Sequence, residues 1–185
     1  MRLTAATLAD LALANPVNAE ILQRLPALGA PQAHLVAGCL FQAVWNHRSG
    51  HEPGWGVKDY DIFYFDGADL SWEAEDRVIR CAEALFADLG IMVEVRNQAR
   101  VHLWYPEHFG EPYPRLTSAR DGIDRYLIAC TCIGIAPDRE VYAPDSLEDL
   151  WDGQLRMNPR HPQPRLFPAK AESYRARWPW LSILG

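Results

Sequence analysis

This 185-residue sequence contains no run of the 18 or so apolar residues needed to cross a bilayer. The N-terminal MRLTAATLADLALANP comes nearest to a leader, but Asp10 interrupts its apolar run, and Leu8, Leu11 and Ala12 follow helical spacing instead. A soluble, cytoplasmic protein with no membrane partner is expected. The sequence also has no CxxC pair. Its four cysteines, at 39, 81, 130 and 132, all sit in apolar stretches with no histidine at zinc-ligand spacing. Buried, reduced thiols are the expectation, and a disulfide scaffold or zinc centre is excluded. Excess positive charge is missing too. The net charge is −6, which argues against sequence-blind binding of extended nucleic acid. A local basic groove stays open, because Arg96, Arg100, Arg115, Arg120 and Arg125 cluster in sequence. There is no internal repeat and no low-complexity tract.

What is present suits one globular domain over residues 1–185, with 49% hydrophobic and 23% charged residues. Thr4 reads as the cap of a first helix that Asn15-Pro16 breaks, and Pro16 starts a second carrying Ile21, Leu22 and Leu25. These make an N-terminal helical pair over 1–30. An apolar strand from Ala33 to Ala37 runs into Gly38 and a helix over 39–46. The glycine-rich HRSGHEPGWGV, 47–57, reads as a flexible loop whose His47 and His51 are candidates for acceptor contact. Asp59 to Phe65 is aromatic and β-favouring. Trp72 to Leu89 keeps a 3.6-residue period and ends at Gly90. Strands are expected at 91–96 and 100–105, then a short helix capped by Thr117 or Ser118. A buried strand over 127–135 and a short partner at 140–142 complete a core over 33–142. A helical turn at 146–151 and a last helix near Trp178-Pro179 make a C-terminal extension, 143–185. The order implies an α+β fold, a mixed sheet with flanking helices.

Three pieces carry chemistry. Gly38 lies between a strand and a helix, where backbone can approach a ligand and the helix N-terminus offers free N–H groups to phosphate. Asp59 and Asp61 are two apart on a strand, so both face one way, with Cα atoms about 6.6 Å apart. Their mutual repulsion costs roughly 3 kcal/mol at an effective dielectric near 20. Solvent, a neighbouring cation such as Lys58, or a divalent metal must offset it. Phe63 and Phe65 share that face, so the acids sit at the mouth of a packed surface. Glu94 is a lone acid inside the apolar strand VEV: a solvent-facing residue, or the third carboxylate of a metal site.

In this order, Gly38, Asp59/Asp61 and Glu94 resemble the hG[GS]…[DE]h[DE]h…h[DE]h pattern of the polymerase-β-like nucleotidyltransferase superfamily. The stretches VAGCLFQAVWN, GVKDYDIFYFD, VEVRNQARVHLWY, YAPDSLEDLW and WPWL further resemble a small bacterial branch of it. The resemblance implies a nucleotidyltransferase-like fold and transfer of a nucleoside monophosphate group from an NTP to an acceptor. It implies that Asp59, Asp61 and Glu94 hold Mg2+ or Mn2+, and that Glu94 assists deprotonation of the acceptor hydroxyl. Gly38 and Cys39 would meet the nucleotide's phosphates. Cys39 departs from the Ser or Gly of the pattern, and a thiol is a weak donor. That departure supports an alternative, a catalytically silent nucleotide- or metal-binding module. If the strand after Glu94 continues without a bulge, Arg100 and His102 line up beside it as nucleotide ligands; a turn at Asn97-Gln98 breaks that alignment. Trp104 reads as core. The acceptor class, whether small molecule, protein or RNA end, is not legible.

Overall fold

The computed structural model describes residues 2–184, so Met1 and Gly185, the ends of the expected single domain, lie outside the described residues. Thr4 and Asn15 cap helices α1 (Ala5–Leu13) and α2 (Pro16–Arg24), each side-chain oxygen accepting an N–H of the first turn. Then come β1 (His34–Val36), α3 (Gly38–Ser49), β2 (Tyr60–Tyr64), α4 (Trp72–Phe86) and β3 (Val93–Asn97). Helices α5 (Val101–Phe109) and α6 (Ala119–Ile123), strands β4 (Gly134–Ile135) and β5 (Val141–Tyr142), and helix α7 (Leu147–Asp152) follow. Strand β6 (Gln154–Arg156), helix α8 (Phe167–Arg175) and strand β7 (Ser182–Leu184) close the chain.

The fold is α+β, with a mixed five-stranded sheet in the order β3-β2-β1-β4-β5. The β2–β3 pair, joined through α4, is parallel, while β1–β2, β1–β4 and β4–β5 are antiparallel. Period-two alternation divides β2 between two environments. Tyr60, Ile62 and Tyr64 are buried with Leu35, Val95 and Ile135 in the main core. Asp61 and Phe63 project from the opposite face with Val36, where Ile123 and Tyr126 pack. No described helix is long and apolar enough to cross a membrane.

The C-terminal segment is bound to α3 by aromatic packing. Trp45 and Trp178 are fully buried, with ring centroids 5.2 Å apart, and Tyr174 meets both Phe41 and Trp45 edge-on. The buried Trp178 indole donates to Asn46 Oδ1 at 3.0 Å, and Trp45 to the Leu150 carbonyl at 3.1 Å. The segment also holds a two-stranded parallel sheet, β6–β7, that the sequence reading did not foresee.

Several expectations are corrected. Residues 100–105 are not a strand: α5 begins at Val101, because Asn97 ends β3 in a side-chain-braced turn. Its Oδ1 accepts from the N–H of Ala99 and of Asp66, and its amide donates to the Asp66 carbonyl. The expected strand over 127–135 shrinks to a bridge at Ile128, a 3-10 turn over Ala129–Thr131 and the two residues of β4. Helix α3 runs on to Ser49, and the following loop is tied down by Asn46, whose amide donates to the carbonyls of Pro53 and Trp55. Cys39, Cys130 and Cys132 are buried, but Cys81 is exposed.

Candidate functional site

A cleft of about 820 Å³ opens over the Asp61 face of the sheet, lined by β2, the start of α3, α5 and α8. Asp59 and Asp61 both line it. Val36 pairs with Asp61 on one side and Glu94 with Asp61 on the other, in register, so all three project from one face. Among the described residues neither Asp59 nor Asp61 forms an ion pair with a basic side chain. Burial first, then the charges of Asp59 and Glu94, push the Asp61 carboxyl up to about 7; Arg96 and Lys170 work against that rise. Glu94 is outside the cleft lining, on the edge strand, and its carboxylate is 3.7 Å from the Arg96 guanidinium.

Strand β1 leads directly into the cleft. Ala37 has φ 64° and ψ −141°, a conformation that L residues rarely adopt. The turn it makes sends the chain into α3 with no side-chain cap, so the first N–H groups of that helix are left for a ligand. Gly38 lines the cleft; a Cβ there would come within 2.5 Å of the Gln42 amide nitrogen. Cys39 does not reach the cleft. Its thiol is fully buried and donates to the Val36 carbonyl at 3.3 Å, and burial drives its pKa well up. Any phosphate contact at this position is therefore through its backbone.

Basic residues share the cleft with the acids. The sequence has two lysines, Lys58 and Lys170, and both line the cleft. Lys58 precedes the acid pair. Lys170 and Ser173 come from α8 and Arg177 from the turn that follows it, where sequence reading placed only a terminal helix. Arg177 donates to the Gly56 carbonyl at 3.1 Å and to Gln42 at 3.3 Å, which locks the end of the 50–59 loop to the start of α3. A lysine and an arginine seven residues apart near the C-terminus was the available signal, but only the docking of α8 and the turn after it gives them a target.

Two expected nucleotide ligands lie elsewhere. Arg100 turns toward α4, where it forms a buried ion pair with Glu75 and donates to the Leu70 carbonyl. His102 is on α5 outside the cleft lining, its Nε2 accepting from Arg115 at 3.2 Å. Of the five clustered arginines, Arg96 and Arg125 line the cleft; Arg120 is paired with Glu140. His47 and His51 stand outside it, His47 near Trp151 and His51 stacked on Trp55 at 4.1 Å. Trp104 is half-buried and lines the cleft with Tyr105, rather than joining the core.

A nucleotidyltransferase family model matches residues 23–183, nearly the whole chain, including every residue of this cleft. The chain belongs to that nucleotidyltransferase family. Among solved structures it is similar to an NMR structure described as revealing a CCA-adding enzyme head domain, with a TM-score of 0.77 and 24% identity, over 97% of this chain and 95% of the other. At that identity the likeness concerns the fold. No curated protein sequence matches.

The family implies a divalent cation. Among the described residues no three His, Cys, Asp or Glu side chains converge into a preformed cage. The donor set nonetheless suits a hard cation: two carboxylates side by side, without a basic partner, one held partly protonated at neutral pH by its surroundings. Two protein carboxylates with the remaining positions left to water and substrate phosphate is a common magnesium arrangement.

Proposed function

We propose that this chain transfers a nucleoside monophosphate group from an NTP to an acceptor, with Mg2+ or Mn2+ held by Asp59 and Asp61. The observation that carries this reading is that Asp59 and Asp61, which form no ion pair among the described residues, share one cleft with Lys58, Lys170 and Arg177, beside the uncapped N-terminus of α3. A cation bound there would neutralise charge on the α-phosphate as the leaving group departs. The chain's own groups do the rest. Backbone N–H groups of Gly38 and Cys39 hold phosphate oxygens, and Lys170, Ser173 and Arg177 hold the outer phosphates. Glu94, level with Asp61, orients the acceptor hydroxyl and takes its proton once freed from Arg96.

A second reading, a silent nucleotide- or metal-binding module, is favoured by the Glu94–Arg96 pair, which leaves two carboxylates rather than three at the cleft. The experiment that separates them starts with thermal shifts for each NTP with Mg2+ or Mn2+, on the wild type and on Asp59→Ala and Asp61→Ala. Binding at 100 times Kd stabilises by about 2.7 kcal/mol. No cation-dependent shift with any NTP sinks both readings. A shift with no transfer of α-phosphate label to any acceptor in cell extract leaves the silent module.

A further inference from the structure

The cleft has two ends. Because β1 runs antiparallel to β2 with Val36 opposite Asp61, the chain leaves β1 toward the Asp59 end of β2. The N-terminus of α3, Lys58 and Arg177 gather at that end. Past Asp61 along β2 comes Phe63, whose ring stacks on Tyr126 with centroids 5.8 Å apart and planes 23° from parallel. Beyond it the Arg125 guanidinium lies 4.6 Å from the Tyr113 ring centre, and Tyr113 packs on Tyr105 at 4.4 Å. Displacement at phosphorus is in line, so the attacking hydroxyl enters opposite the departing pyrophosphate. With the phosphate-holding groups at the Asp59 end, the NTP's nucleoside and the acceptor share the rest of the cleft, and in-line entry opposite the pyrophosphate puts the acceptor on the Phe63 side.

The unpartnered, buried polar groups at that end are donors, beside the Gln98 amide and the Asp61 carboxylate. Arg125 Nε and the Tyr126 hydroxyl are shielded from solvent and have no partner among the described residues. Arg125 Nη2 is 3.1 Å from His161 Nδ1; since arginine only donates, that nitrogen accepts, and the ring proton of neutral His161 sits on Nε2 as a third donor. Arg96 adds positive charge along the same wall, and Glu111, whose charge reaches Tyr105 and His161, is exposed. Aromatic faces with donors between them fit a flat ring that carries acceptors on its edge. A polycation would meet Arg96 and Arg125 head-on.

We infer that the Phe63–Tyr126–Arg125 end is the acceptor subsite, and that it takes a hydroxyl compound carrying a planar ring with hydrogen-bond acceptors on its edge, and not a polyamine or polycationic sugar. This rests on the nucleotidyl-transfer reading. In that reaction the acceptor oxygen bonds to the α-phosphorus, the α–β bridging P–O bond breaks, and pyrophosphate leaves with its electron pair. The hydroxyl proton passes to Glu94.

The test is a titration of the whole chain, by calorimetry and saturation-transfer NMR, with three probes: uridine, whose ring carries two carbonyl acceptors, benzyl alcohol, whose ring carries none, and spermidine. Uridine is expected to bind best and spermidine not at all. Arg125→Ala should weaken uridine roughly tenfold or more, and Tyr126→Phe by a smaller factor, in variants whose circular dichroism and Tm show that they fold. Arg125→Lys, which keeps the charge but loses the fork, should not restore affinity. No uridine binding, uridine binding that both variants leave unchanged, uridine displaced by saturating ATP with Mg2+ (which makes this the nucleotide's own nucleoside site), or tighter spermidine binding overturns the assignment. The wild-type response to NTP and Mg2+, measured separately, reports on the transfer reading: its absence with Arg125-dependent uridine binding sinks that reading and leaves a planar-ligand subsite.

Discussion

Asp61 and Glu94 stand level on neighbouring parallel strands and project from the same face, yet Glu94 has Arg96 at 3.7 Å and Asp61 has no basic partner in ion-pair range among the described residues. This asymmetry leaves the less exposed member of the pair with its repulsion only partly compensated, by Arg96 and Lys170, and it leads to the first prediction.

Replacing Asp61 with Asn should stabilise the metal-free protein at pH 8 while abolishing its response to Mg2+ and NTP. The carboxyl is raised in the folded state from 3.8 to about 7. The native state therefore holds the proton more tightly than the unfolded one. The resulting penalty is absent below about pH 4, grows as pH rises, and is complete above 7. Its ceiling is about 4 kcal/mol, reduced by partial solvent access. Urea denaturation at pH 4, 6 and 8 should show the advantage of Asp61→Asn widening with pH. A constant difference between the two proteins would contradict it.

Lys170→Ala and Arg177→Ala should each weaken NTP binding about tenfold or more, and the wild-type affinity should fall steeply with added salt. Nucleotide titrations at two ionic strengths check this. Unaltered affinity in both variants would remove α8 and the turn after it from the phosphate site.

Breaking the buried Glu75–Arg100 pair should destabilise the fold far more than it affects the cleft. Glu75 also accepts the Asn97 N–H at 2.8 Å, so it holds the end of β3 as well as Arg100. Glu75→Ala or Arg100→Ala should cost about 3–5 kcal/mol, lowering Tm by roughly 10 °C. Losses under 1 kcal/mol by chemical denaturation would refute the assignment.

Ala37→Gly should stabilise the turn before α3 by about 1–2 kcal/mol, because glycine occupies that positive-φ conformation without strain. The opposite move, Gly38→Ala, places a Cβ against Gln42 and should lower nucleotide affinity by crowding the approach of phosphate. Paired melting and NTP-binding curves test both.

Among the four thiols, Cys81 alone should react quickly with a disulfide reagent under native conditions, and Cys39, Cys130 and Cys132 only on unfolding. Cys39→Ala should leave NTP affinity unchanged, since the thiol faces the Val36 carbonyl and not the cleft. A tenfold loss in that variant would restore the side chain as a phosphate contact.

The alternation of Tyr60, Ile62 and Tyr64 against Asp59, Asp61 and Phe63 set β2, its two faces and the exposure of both aspartates to one side, because strand parity is a local property of the chain. Local too were the cap at Thr4, the cap expected at Thr117 or Ser118 and found at Ser118, and the periodicity of α4. Residues 100–105 misled because VHLWY suits a strand, while the structure-deciding contacts are distant: Asn97 bracing Asp66, and Arg100 drawn to Glu75 on another helix. The same limit hid the basic wall of the cleft. Lys170 and Arg177 follow Asp61 by more than 100 residues, and their meeting depends on Trp45, Tyr174 and Trp178 docking α8 onto α3. Sequence determined which acids share a face, since two-residue spacing fixes that. Only the tertiary structure decided which cations oppose them, because packing of distant aromatic side chains has no signature in spacing.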